Sequence, residues 1–124
     1  MRTKISNLKW SINDKNIIWK YNNKPLIRKT TYPPKSVVEL ADRSGLAIVF
    51  STEEYGVNNA FIINANGSER LRLKVPSDIR GVICFHEIYY IGDDLTAIIV
   101  ANGCDFACVY DVNSGNIKKK YETR

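Results

Sequence analysis

Two stretches of this 124-residue chain say nearly the same thing: AFIINANGSERLRLKV at 60–75 and ACVYDVNSGNIKKKY at 107–121. Each reads as a strand, a tight turn carrying Asn and Gly, and a second strand. The repetition extends upstream of both. SVVEL at 36–40, LAIVFS at 46–51, AFIIN at 60–64 and RLRLKV at 70–75 form one set of short runs rich in β-branched and aromatic residues. GVICFHEIYYI at 81–91, TAIIVA at 96–101, FACVYDV at 106–112 and NIKKKYE at 116–122 form a second. Aligned without a gap, Ala47-Ile48-Val49-Phe50 falls on Ala97-Ile98-Ile99-Val100, a shift of about 50 residues. A chain that repeats a four-strand phrase is confined to architectures in which small sheets supply one another's core.

The N-terminal third carries a partial copy. LKWSI at 8–12, IIWKY at 17–21 and LIRKT at 26–30 are joined by the turn clusters NDKN at 13–16 and NNKP at 22–25. A helix over 3–19 competes, but Ser6-Asn7 and the run from Ser11 to Asn16 are poor helix formers. Prolines stand only between units, in Tyr32-Pro33-Pro34 and Val75-Pro76-Ser77, or in a turn at Pro25. The length suits one domain, 1–124. Its expected class is all-β: a three-stranded N-terminal unit (about 5–32) and two four-stranded antiparallel meanders (36–76 and 81–122).

Four strands in about 45 residues is the period of a β-propeller blade. The segment Val109-Tyr110-Asp111-Val112-Asn113-Ser114-Gly115-Asn116 resembles the end of a third blade strand in WD-repeat-like propellers. There an aromatic and an aspartate precede a short Ser/Thr-Gly turn. Asn64 replaces that aspartate in the earlier copy, and neither copy has the family's Gly-His pair in the expected place. Propellers close with four to eight blades, and this chain holds fewer than three. The resemblance implies a half-propeller-like open arc; a β-sandwich is the alternative.

Charge is distributed unevenly. Residues 1–35 hold nine Lys or Arg and one acid, Asp14, a net +8; residues 36–124 hold nine Lys or Arg and twelve acids, a net −3. Lys118, Lys119 and Lys120 are consecutive, so in a strand they cannot all reach one polyanion. No run approaches the roughly 18 to 20 apolar residues of a membrane span. The first ten residues lack the apolar core and cleavage site of a secretory signal, so a cytoplasmic location is expected. The three cysteines, Cys84, Cys104 and Cys108, have no disulfide-framework spacing and read as free thiols.

Catalytic signatures are missing from the sequence. There is no Gly-x-Ser-x-Gly elbow, phosphate-binding loop or dinucleotide fingerprint. The single histidine, His86, reads as a structural residue of a strand. Cys84 lies two positions away, about 7 Å along a strand and beyond hydrogen-bond reach. Cys84, His86, Cys104 and Cys108 are chemically a zinc set, but Cys104 and Cys108 on one straight strand would stand about 13 Å apart. Neither a metal, a cofactor nor an enzymatic activity is expected.

What remains is a binding surface. In a meander, the connections at 13–16, 51–59 and 102–105 leave from one rim, which gathers Glu53, Glu54, Tyr55 and Asp105. A tyrosine among carboxylates suits a protein contact. Small size, acidic loops, an unfinished repeat and missing catalytic equipment resemble the immunity proteins of bacterial contact-dependent growth inhibition systems. That resemblance implies a cognate toxin domain as partner, often a nuclease, with occlusion of its active site as the mechanism. The alternative is RNA or DNA binding by the basic N-terminal third, with Trp10, Trp19 and Tyr21 as stacking surfaces.

Overall fold

A computed structural model describes residues 4–123 of the chain. Three antiparallel sheets follow one another in sequence, and none closes into a barrel. The N-terminal sheet is β1 (Ile5–Lys9), β2 (Asn16–Tyr21) and β3 (Lys24–Lys29). The central sheet is β4 (Ser36–Glu39), β5 (Gly45–Val49), β6 (Ala60–Asn64) and β7 (Glu69–Arg72), with a one-turn helix α1 (Thr52–Tyr55) between β5 and β6. The C-terminal sheet is β8 (Val82–Ile91), β9 (Asp94–Ala101), β10 (Cys104–Tyr110) and β11 (Ile117–Glu122). Each sheet is a meander in which sequence neighbours pair. The all-β reading with three, four and four strands therefore holds.

Turn chemistry produces the hairpins. Asn22 and Asn23 both take positive φ (52° and 63°), the requirement of a tight β2–β3 turn. Gly67 and Gly115, at φ 91° and 77°, close β6–β7 and β10–β11. Gly45 has a different role: a side chain there would meet the Ile63 carbonyl oxygen at 1.9 Å, so only glycine lets β5 begin against β6.

The three sheets form layers. Ile5, Ile17 and Trp19 of the N-terminal sheet pack on Leu46, Ile48, Phe50, Phe61 and Ile63 of the central one. The opposite face of the central sheet, with Ala47, Val49, Ala60, Ile62 and Leu73, packs on Phe85, Ile88, Leu95, Ala97, Ile99, Cys108 and Tyr110. Every residue of β5 is buried, because this strand has a neighbour on both sides. Each large apolar side chain removed from water there contributes about 1.5–3 kcal/mol before entropy is counted.

The C-terminal sheet is joined to the central sheet laterally by side chains. The Asn59 amide donates to the carbonyls of Phe50 (2.6 Å) and Phe85 (3.0 Å), and its oxygen accepts from the Phe85 N–H (2.9 Å). The Ser36 hydroxyl donates to the Ile88 carbonyl at 2.9 Å and accepts from its N–H at 3.3 Å. The free edge of β8 is thus satisfied at Phe85 and Ile88 without a further strand.

Three expectations need correction. The first strand spans Ile5–Lys9 rather than 8–12, with Asn7 at φ 54° and a register shift before Lys9. The connection at 51–59 contains α1. The gapless 50-residue repeat also fails in three dimensions. The central and C-terminal sheets stack in the same strand order, with β4 beside β8. The face turned toward the preceding layer is Leu46, Ile48 and Phe50 in the former and Leu95, Ala97 and Ile99 in the latter. Equivalent positions are therefore an odd number of residues apart. A one-residue slip exchanges the two faces of a strand, so Ala47 and Ala97 point in opposite senses.

Candidate protein-interaction surface

The β5–β6 connection is a built structure. The Ser51 hydroxyl caps α1 by accepting from the Glu53 N–H (3.2 Å), and Gly56, at φ 74°, ends the turn by donating to the Thr52 carbonyl (2.8 Å). Tyr55 lays its ring on Phe50 and Phe61, with centroids 4.7 and 4.8 Å apart. Arg72 stacks its guanidinium 5.0 Å from the Phe61 ring and donates to the carbonyls of Tyr55 and Asn58, both at 2.6 Å. Arg28, 5.2 Å above the Phe50 ring, donates to the Tyr55 hydroxyl at 3.3 Å. Tyr55 is thus half-buried between two arginines, where the sequence suggested an exposed ring among carboxylates. It anchors α1 to the core.

The acids have separate tasks. Glu54 accepts from the Tyr32 N–H at 2.8 Å and ties α1 to the linker between the first two sheets. Glu53 is exposed and points into an open groove of about 520 Å³. Its walls are the linker residues Tyr32 and Pro33, Ile12 from the β1–β2 loop, and His86 and Glu87 of β8. Ile12 is 77% exposed, the most exposed large apolar side chain among the described residues. His86 is exposed as well. The cause is a register shift between Phe85 and Glu87, which breaks strict alternation and leaves both His86 and Glu87 facing solvent.

Asp105 does not join this group. It pairs with Val100, on the face of the C-terminal sheet turned away from the central sheet, and its carbonyl accepts from the Thr123 N–H at 2.9 Å. Since α1 packs on the opposite face of the central sheet, two layers separate Asp105 from Glu53 and Glu54. Sheet layers lie roughly 10 Å apart. The rim is shared, as the meander requires, but the neighbourhood is not.

The remaining candidate groups are dispersed. Cys84 accepts from the Lys35 ammonium at 3.8 Å, and the Cys104 thiol donates to Glu122 at 2.7 Å. The Glu122 carboxylate raises the Cys104 pKa by favouring the protonated thiol. Cys108 is fully buried, and desolvation pushes its thiol up to about 11. Among the described residues no cluster of three or more His, Cys, Asp or Glu is placed to hold a metal. The proposed stacking surfaces also turn inward. Trp19 is 2% exposed and donates its ring N–H to the Ala65 carbonyl at 2.8 Å, while Trp10 and Tyr21 are half-buried against the same core.

Sequence reasoning found Glu53 and missed the groove beside it. Tyr32-Pro33-Pro34 read only as a junction, and Ile12 only as the end of a strand. The local signal for α1 was present as Ser51-Thr52-Glu53-Glu54, a capping-box pattern.

No protein-family model and no curated protein sequence matches this chain. A solved chain from the structure of Tne2 in complex with Tni2 does match in fold, with a TM-score of 0.69 over 93% of this chain and 82% of that one. The two sequences are 16% identical, so the likeness is one of architecture.

Proposed function

We propose that this chain is an immunity protein: it binds a cognate bacterial toxin domain and neutralises it by covering its active site. The observation that carries the reading is the fold, shared over nearly the whole chain with a member of a complex of two proteins, Tne2 and Tni2. The groove beside α1 supports it. It offers a protruding isoleucine, a tyrosine and a proline for contact, with Glu53 and Glu87 at its edge. That combination of an apolar centre and a charged rim is the anatomy of a protein interface. The finer reading makes the toxin a nuclease acting in the cytoplasm. Such an enzyme is basic where it holds phosphates, and acidic loops on its inhibitor give fast association and selectivity.

The test is co-expression with a toxin domain encoded beside this chain. Growth should be restored, and the two proteins should co-purify as a stoichiometric complex. Reversing both exposed acids, Glu53→Lys with Glu87→Lys, should weaken the complex by roughly tenfold or more, mostly through slower association at low salt. Full protection by that variant would refute the groove as the contact surface. Failure of the unaltered chain to protect, together with tight salt-sensitive RNA binding, would refute the immunity reading itself.

A further inference from the structure

The two outermost sheet faces are complementary to each other. The C-terminal sheet covers the central sheet with one face and leaves the other open. Register places Thr96, Ile98 and Val100 of β9 on this open face, beside Ala107 and Val109 of β10, Tyr89 and Ile91 of β8, and Tyr121 of β11. Thr96, Ala107 and Val109 form its closed floor, at 0%, 1% and 2% exposure, while Tyr89, Tyr121 and Ile91 stand out at 39%, 44% and 48%. Three of the large apolar side chains that the chain exposes are thus on one sheet face. Asp94 and Asp105 lie on the same face, with Lys119 held 3.6 Å from Asp94.

The other end of the stack is the outer face of the N-terminal sheet. Ile17, Trp19 and Arg28 point inward, so their strand neighbours point out: Ile18 and Lys20 on β2, Ile27 and Lys29 on β3, with Lys9 of β1 opposite Ile18. Ile27 is 56% exposed. This face has an apolar centre ringed by three lysines, and no acid among its described residues.

Stack geometry gives these two faces their significance. The central and C-terminal sheets follow each other in the same sense, each presenting its back to the front of the next. The front of the N-terminal sheet and the back of the C-terminal sheet are the two halves of one further contact of this kind. One is basic with an apolar centre, the other acid-edged with an apolar centre.

We propose that two copies of this chain associate through these faces, the N-terminal sheet of each against the C-terminal sheet of the other. Two such contacts, related by a two-fold axis, close a ring of six sheets. Six lies within the four to eight at which radially repeated sheets close, and a front-to-back contact must either close in this way or grow into a filament. The pairing uses the sheet faces, and of the named groove residues Glu87, opposite Ile98, also stands on the C-terminal face.

The experiment is sedimentation equilibrium on the purified full chain, alone, across the micromolar range. The expected mass is twice the 14.1 kDa of one chain. Lys20→Glu with Lys29→Glu makes both faces acidic, and Asp94→Lys with Asp105→Lys makes both basic. Each variant should be a monomer with an unchanged β-sheet circular dichroism spectrum. Mixed in equal amounts, the two should recover a heterodimer, because every front-to-back contact is then complementary again. A wild-type chain that stays monomeric, a dimer indifferent to both reversals, or an unlimited polymer would overturn the closed pair.

Discussion

Asp111 and Gly115 show how much one turn asks of its residues. The Asp111 carboxylate accepts from the N–H groups of Asn113 (2.9 Å) and Ser114 (2.8 Å), bonds that hold its pKa below the ordinary value. Gly115 then takes φ 77° and donates to the Asp111 carbonyl at 2.9 Å, beside the Leu71 side chain. A β-branched residue pays heavily for positive φ and asparagine pays little. Gly115→Val should therefore destabilise the fold by about 1 kcal/mol or more, and Gly115→Asn by distinctly less. Thermal melts of the two variants check that order, and equal melting temperatures would reject the turn as a determinant. This turn was legible in the sequence, because its whole cause lies within five residues.

At the scale of elements, the side-chain bonds from Asn59 and Ser36 to β8 are the joints whose loss is easiest to read. Asn59 is fully buried and serves three backbone groups, whereas the Ser36 bonds are only partly buried. Buried polar groups left without partners cost roughly 1–3 kcal/mol each. Asn59→Ala should thus lower stability by about 3 kcal/mol and Ser36→Ala by about 1 kcal/mol, as chemical denaturation would report. Equal effects would mean that β8 is held by packing alone. Strands and turns were legible here, and the joints were not. A period-two pattern records that a strand is covered but not by which neighbour, and Asn59 sits in a loop where its composition suggests only a turn. The same limit explains Asp105. It stands in β10 opposite Val100, and the sheet face it takes is set by the β9–β10 register, which composition does not record. Tyr55 was misread because Arg28 and Arg72, the residues that surround it, are 27 and 17 positions away in sequence.

For the whole molecule, the layered order sets a hierarchy of stability. The central sheet is covered on both sides, while β3 and β11 are outer edges; all six residues of β11 are exposed. Amide hydrogen exchange should therefore be slowest in β5 and β6 and fastest in β11 and β3, since local opening costs least where little apolar surface is lost. Uniform protection across the three sheets would show that they unfold only together. Lys119 and Lys120 on β11 pair with Asp94 and Asp78, so consecutive lysines do turn to different partners, as strand geometry demands. Layering as such was readable from the repeated phrase. The order of the faces was not, because the repeat is out of step by an odd number of residues.

That odd step has a consequence for descent. The irregular pairings of β8, with shifts at Val82/Cys84 and Phe85/Glu87, show that this architecture absorbs a single inserted residue as a bulge and keeps its interior intact. A lineage built on it can gain or lose residues one at a time within strands, a change that would turn most sheets inside out. Ancestry then leaves its trace in the arrangement of layers long after it has faded from the letters.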